Sequence, residues 1–288
     1  MLPRMADAND PIQFIAADLA PGDLKSLDLA RGDLEVVPIQ SSEHPLFAST
    51  YMRLWDEFGA SHEMEQRDVI ERRLAWHPAA RAGNCWLRYE MLLLQRHGKF
   101  VAARDHTAVA VCRESAAHAV VHLSHVLVEP ASRRTGLAGW LRAWPIQTAR
   151  ACLAAARLPI ASPITLVAEM EHADPQFPHR MIRLKAYEKA GFKKIDPKML
   201  KYFQPDFRPP AEIDASGQPN PLLLALVLRR IGRECEQIVS GKEVREIVNG
   251  IYQMYATGFR AQDMAGLWES LGDYPPDAAE ISLVSPTQ

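Results

Sequence analysis

Residues 126–138 read Val-Leu-Val-Glu-Pro-Ala-Ser-Arg-Arg-Thr-Gly-Leu-Ala. An apolar strand stops at Pro130, a short loop carries Arg133 and Arg134, and Gly136 opens a helical run. A stretch of this kind can hold an anion. The first amides of a helix have no internal acceptor and carry the positive end of the helix dipole. A glycine lets a ligand approach the backbone, and two guanidinium groups add charge. A pyrophosphate would fit. A plain strand–turn–helix with two solvated arginines uses the same residues, and so short a string does not separate the two readings.

A second block, Arg183-Leu184-Lys185-Ala186-Tyr187-Glu188-Lys189-Ala190-Gly191-Phe192, reads as the end of a helix. Gly191 is placed for the left-handed position after the cap, and Phe192 for the apolar contact that folds back on the last turn. The first block contains Arg-x-x-Gly-x-Ala directly after a strand. It resembles the Gln/Arg-x-x-Gly-x-Gly/Ala signature of the GCN5-related N-acetyltransferases, the GNAT superfamily. The second is similar to that superfamily's Tyr-Glu-Lys-x-Gly-Phe helix. The blocks lie on either side of an apolar run at 164–171, in the superfamily's order. The resemblance spans about residues 34–230.

That resemblance implies an α/β fold with a mixed parallel and antiparallel sheet flanked by helices. It implies transfer of an acetyl group from acetyl-CoA, as co-substrate, to a primary amine by direct attack in a ternary complex. The strand before the glycine would splay from its parallel neighbour, so that the pantetheine arm bonds to the backbone of Val126, Leu127 and Val128. The pyrophosphate would take the amides of Arg134, Thr135, Gly136, Leu137 and Ala138, with Arg133 adding charge. Tyr187 matches the tyrosine near the CoA sulfur. A phenol is protonated at neutral pH and can donate to a departing thiolate. The attacking amine must lose a proton, which calls for a general base. His122, eleven residues before Arg133, stands where members carry a glutamate or a histidine. Strand alternation puts it on one face with Ser124 and Val126, and turns His125 to the other. Glu169 and Glu171, on one face at a strand end, are the alternative base or a site for a cationic substrate. Tyr187 and His122 also fit ordinary packing positions. The sequence departs from the pattern at Arg180, where an asparagine is frequent, and at Pro145, inside the helix after the glycine.

The elements that must position these residues follow from periodicity. Residues 34–39 form a strand that Pro38 assigns to an edge. Helical spacing appears at 45–58 and 64–76. Strands follow at 89–96, 100–112 (interrupted near Asp105) and 119–128, the first two joined by the turn His97-Gly98. A helix over 136–156 then leads to a strand at 164–171, and a helix to 180–190. The βαβ unit 119–171 requires a parallel pair. A short extended stretch at 201–205, a loop at 207–221 and a strand at 222–229 precede a tail of one or two amphipathic helices. Three parts are expected: an extension over 1–33, the acyltransferase domain over 34–230 and a helical extension over 231–288. Trp140 and Trp144 read as core. Tyr252, Tyr255, Phe259 and Trp268 would dock the tail on the body or on a second subunit as a homodimer. The acidic pair Glu63 and Glu65 reads as a solvated helix face or a selector of cationic substrates.

The 288 residues carry 33 Lys+Arg and 35 Asp+Glu, a formal net charge of −2. No basic excess exists to displace counterions from a nucleic acid, so none is an expected partner. The most apolar run, Leu222 to Leu228, is far shorter than the ~20 residues a bilayer needs, and no membrane association is expected. The opening residues develop no apolar run, so no secretory signal is expected. Four scattered cysteines fit a reducing cytoplasm, show no zinc spacing, and offer no nucleophile. No metal is expected, although Glu169, Glu171 and His172 lie close in sequence. The competing readings are a catalytically inactive acyl-CoA-binding module of the same fold and an acyltransferase that uses a different acyl-CoA.

Overall fold

A computed structural model describes residues 18–24, 33–113 and 116–288. The remainder of the expected lead-in, 1–17 and 25–32, lies outside the described residues. A helical turn, α1 (Pro21–Leu24), is followed by β1 (Leu34–Ile39), α2 (Phe47–Phe58), α3 (Arg67–Leu74) and β2 (Ala80–Ala82). Next come β3 (Cys85–Arg96), β4 (Lys99–Arg113), β5 (Ala116–Val128), α4 (Leu137–Ala155), β6 (Ile164–Met170) and α5 (Pro178–Lys189). The chain continues through β7 (Lys193–Ile195), β8 (Tyr202–Gln204), α6 (Pro210–Ser216) and β9 (Leu222–Arg230). It ends with β10 (Ile238–Ser240), α7 (Gly241–Tyr255), α8 (Ala261–Ser270) and β11 (Glu280–Val284).

The strands form one mixed sheet in the order β1-β3-β4-β5-β6-β9-β7-β11-β10, with β2 beside β3 and β8 beside β9. β5 and β6 are parallel, as a βαβ unit demands, and the pairs around them are antiparallel. β3 is buried on both faces, which its unbroken Met-Leu-Leu-Leu run anticipates. His97 and Gly98 both take positive φ, 51° and 70°, the geometry of a two-residue hairpin turn between β3 and β4. β1 is the edge strand, which tolerates Pro38.

Helices α4 and α5 cover one face of the sheet, and α2, α3, α7 and α8 cover the other. Trp140 and Trp144 are buried beneath α4. Pro145 does not end this helix. Having no N–H, it leaves the Leu141 carbonyl without its helical donor, and the buried Arg104 of β4 donates to that oxygen at 3.3 Å. At the end of α5, Gly191 (φ 82°) gives its N–H to the Glu188 carbonyl, and Phe192 gives its own to Tyr187. The rings of Phe192 and Tyr187 lie 4.8 Å apart, so the expected cap is complete.

Three expectations change. The Pro-rich loop contains α6, with Pro210 at a first-turn position that proline favours. The tail is two helices plus two strands. β11 pairs with β7 and continues the sheet, and Ser240 caps α7 by accepting the Glu243 amide at 3.1 Å. Tyr252 and Tyr255 are fully buried against the body of the same chain. Among the described residues, no helix is long and apolar enough to cross a membrane.

Candidate active site

β5 and β6 pair only from Ala119↔Ile164 to His122↔Val167. Beyond that rung both strands continue, but with other partners. β5 stays on β4 as far as Ala102↔Val128, and β6 stays on β9 as far as Met170↔Ala225. The sheet therefore opens between two neighbours, and among the described residues no strand pairs with the β6-facing edge of β5 past His122.

A bulge interrupts β5 at the same level. Between Arg104↔Val126 and His106↔Leu123, two residues of β5 oppose one of β4, so Ser124 and His125 form a bulge facing Asp105. Asp105 Oδ1 accepts the His125 amide at 2.8 Å and His125 Nδ1 at 2.9 Å, and its Oδ2 accepts the Tyr89 hydroxyl at 3.0 Å. His125 Nε2 donates to the Glu63 carbonyl at 2.8 Å. Burial raises the Asp105 carboxyl, but the His125 charge and these hydrogen bonds prevail and bring it down to about 2. Burial lowers His125, and the Asp105 carboxylate more than offsets it, pushing the imidazole up to about 9. The bulge also reverses the alternation. His125 shares a face with His122 after all, whereas Val126 and Val128 turn to α4 and Leu127 to the α2 side.

At the other end of the opening, Arg134 and Gly136 take positive φ, 64° and 89°, before the first turn of α4. Among the described residues, no acceptor meets the amides of residues 134 to 138. The Gly136 carbonyl already accepts from Gly139 at 3.1 Å. Arg133 folds back to donate to the Val128 carbonyl at 3.0 Å, and the Thr135 hydroxyl donates to Ser132 at 2.7 Å. The loop is thus closed on itself by its own side chains, and its amides, which meet no acceptor among the described residues, suit an anion.

His122 and Glu169, read from the sequence as alternatives, form a single unit. His122 Nε2 lies 3.2 Å from Glu169 Oε2, and its Nδ1 lies 3.1 Å from the Ser124 hydroxyl. Glu169 also accepts from Tyr202, Gln204 and, at 2.8 Å, Tyr255, whose oxygen is 3.3 Å from His122 Nε2. Burial raises this carboxyl, yet His122 and the tyrosine hydroxyls hold it below the ordinary carboxylate range. Burial and the Glu169 charge push Tyr202 and Tyr255 well above theirs. Glu171 is not in this unit; Arg180 (2.8 Å) and Arg183 pair with it at the surface. Glu65 is no solvated residue: it is buried and paired with Arg73 at 2.6 Å, whose guanidinium lies over the Tyr255 ring.

Tyr187 is on the opposite face, half-buried, with the Arg142 guanidinium 6.0 Å from its ring centroid. Arg142 is held by Asp23 at 2.9 Å. Residues 18–24 lie between α4 and α5. Asp18 binds Arg150 and Gln147, its carbonyl accepts from Arg229 at 3.1 Å, and Leu19 and Ala20 are buried. Asp23 presses on the first turn of α4, where a Cβ added at Gly139 would come within 2.4 Å of it. A cavity of about 250 Å³ lies elsewhere, between the end of α5 and β11, and holds none of the expected site residues. Among the described residues, no three His, Cys, Asp or Glu side chains are grouped to hold a metal ion.

Sequence reasoning missed Asp105, His125, Tyr202 and Tyr255. The first two show only as polar interruptions in apolar strands. The tyrosines lie 33 and 86 positions from Glu169, and nothing local links them to it.

No protein-family profile matches the chain, and no curated protein matches it. Among solved structures it is similar to an aminoglycoside acetyltransferase from an uncultured soil metagenomic sample, at 13% identity over 53% of this chain and 86% of that one, TM-score 0.32. It is also similar to a tandem GNAT protein from the clavulanic acid biosynthesis pathway, at 17% identity over 59% of this chain and 46% of that one, TM-score 0.36. A GNAT-family acetyltransferase from Streptococcus pneumoniae is 14% identical over 69% of this chain and 100% of its own, TM-score 0.34.

Proposed function

We propose that this chain is an N-acetyltransferase that moves an acetyl group from acetyl-CoA to a primary amine. The observation that carries this reading is the release of β5 from β6 after His122↔Val167, with both strands continuing. An extended amide-bearing arm can complete the open edge of β5 along Val126, Leu127 and Val128, as an added strand would. The free amides of residues 134 to 138, beside Arg133 and Arg134, take the diphosphate. The two faces of the sheet then have separate tasks. Tyr187, on the α4–α5 face, protonates the departing thiolate. His122, oriented by Glu169 on the other face, receives the proton of the attacking ammonium. Alignment of thioester and amine across the gap supplies much of the rate. Neither a nucleic acid nor a metal has a part in this chemistry.

Calorimetric titration of acetyl-CoA, followed by CoA release over a panel of amines, tests the proposal. Heat on titration and amine-dependent release are expected, with Tyr187→Phe lowering turnover by about 10²-fold if the phenol is the acid. Absence of binding would sink it. The second reading is a non-catalytic acyl-CoA module of the same fold. Binding of acetyl-CoA or a longer acyl-CoA without turnover of any amine would select that reading.

A further inference from the structure

In the proposed reaction the acceptor amine meets His122 on the face of the sheet that α3 and α7 cover, and that face holds a second polar group with bonds to spare. Arg73, in the last turn of α3, is 1% exposed. Its Nη2 pairs with Glu65 at 2.6 Å. Among the described residues, its Nε and Nη1 meet no acceptor. Its guanidinium carbon lies 5.8 Å from the centroid of the Tyr255 ring, and the Tyr255 hydroxyl is 3.3 Å from His122 Nε2. One tyrosine is therefore a neighbour of both the buried cation and the imidazole. Thr107 adds an independent sign. It stands opposite Tyr89 of β3 and His122 of β5 in the sheet register, so the three side chains share this face. Its hydroxyl is buried and has no partner among the described residues. Buried donors left without acceptors are costly, and a guanidinium more so than a neutral group, which makes two of them beside one imidazole the mark of a site that takes an acceptor of hydrogen bonds.

We infer that the acceptor is an amino acid, or another amine that bears a carboxylate, and that Arg73 and Thr107 hold this carboxylate while the amino group meets His122. The inference rests on the acetyl-transfer reading and names the class of its acceptor. The charges on this face are sorted to match. Glu65, expected from its sequence neighbourhood to select cations, is taken up by Arg73. The carboxylate beside the imidazole is Glu169, 3.2 Å from His122 Nε2. An ammonium thus finds its negative partner at the β6 side, and a carboxylate finds its positive partner at α3. A guanidinium has several N–H donors, so pairing with Glu65 leaves Arg73 able to hold a second carboxylate through charge-assisted bonds. An acceptor that is cationic throughout would instead set a second positive charge against Arg73.

The test gives the full chain acetyl-CoA with paired acceptors, each amino acid beside its own carboxamide, and follows CoA release. The members of a pair differ in one charge. The carboxamide's amine sheds its proton more readily, so a preference for the acid reports binding of the carboxylate. A kcat/KM ratio on the order of 10²-fold in favour of the acids is expected, expressed mainly in KM. Glu65→Gln with Arg73→Met removes both members of the buried pair, so neither charge is left alone, and should bring the ratio close to equality. Thr107→Val keeps the shape of the side chain and should lower the ratio several-fold. Circular dichroism reports the fold of each variant, and Thr107→Val carries the test if the double variant does not fold. Carboxamides used as well as the acids by the wild type overturn the inference and leave acetyl transfer standing. An acid preference that persists in the folded variants overturns it as well. If no amine releases CoA, the acetyl-transfer reading falls and takes the inference with it.

Discussion

Asp105 and His125 carry opposite charges with almost no water around them, so each keeps the other ionised. A histidine raised to about 9 stabilises the fold fully below its unfolded value near 6.5, and that contribution is lost as pH rises through 9. Asp105, lowered to about 2, contributes above its unfolded value near 4 and is lost as pH falls towards 2. The pair is therefore at full strength between about pH 4 and 6.5. The His125 displacement corresponds to on the order of 3 kcal/mol. Denaturant melts at pH 6 and pH 10 should show a loss of that order in the wild type and a much smaller one in His125→Gln. Equal losses in both proteins would mean that the bulge is not held by this charge pair. His122, three residues earlier, was legible from its offset to Arg133. His125 was assigned to the opposite face because simple alternation contains no bulge. A bulge is set by what sits across the strand, here the Asp105 carboxylate taking both the amide and the ring of His125.

At the scale of the element, α4 shows how a local rule is overridden by a tertiary partner. Pro145 removes one helical donor, which read in isolation means a kink or a break. The helix instead runs from Leu137 to Ala155, because Arg104 reaches from β4 to the orphaned Leu141 carbonyl. The two residues should then be energetically coupled. In denaturant melts, Arg104→Met should cost about 1–3 kcal/mol more with Pro145 in place than in a Pro145→Ala background, where residue 145 supplies its own N–H to Leu141. Strict additivity in the double-mutant cycle would refute the link. The strand–Pro–Arg-Arg-x-Gly–helix order and the α5 cap were readable, because turn residues act over a few neighbours. α6 was hidden by proline density, since the same residue that breaks a helix interior favours its first turn. The parting of β5 from β6 left no mark on side-chain identity. Val126 to Val128 are apolar in a paired strand and in an open one alike.

The whole molecule brings residues 18–24 and the tail, far apart in sequence, onto the sheet and its helices. The tail supplies Tyr255 to the His122–Glu169 unit and β11 to the sheet, so its aromatic residues have a body to dock on within the same chain. At the other end, residues 18–24 wedge α4 from α5, with Asp18 and Asp23 neutralising Arg150 and Arg142. If acetyl-CoA enters on this face, the wedge must yield, and its apparent affinity is reduced by the fraction of molecules in which the wedge is out. Loosening the wedge should therefore tighten binding. Asp18→Ala removes the Arg150 and Gln147 bonds, and Asp23→Ala frees Arg142, while none of the residues proposed to touch the donor is altered. A combined change that eases opening by about 1.4 kcal/mol would lower the acetyl-CoA dissociation constant about tenfold. The same variant should be cleaved faster by a protease near residues 18–24, and adding acetyl-CoA to the wild type should speed that cut as well. Calorimetry and limited proteolysis read these two effects separately. Faster cleavage with unchanged affinity would place the donor's path clear of the wedge. Slower cleavage of the wild type on adding acetyl-CoA would mean that the segment clamps the donor instead of making way for it.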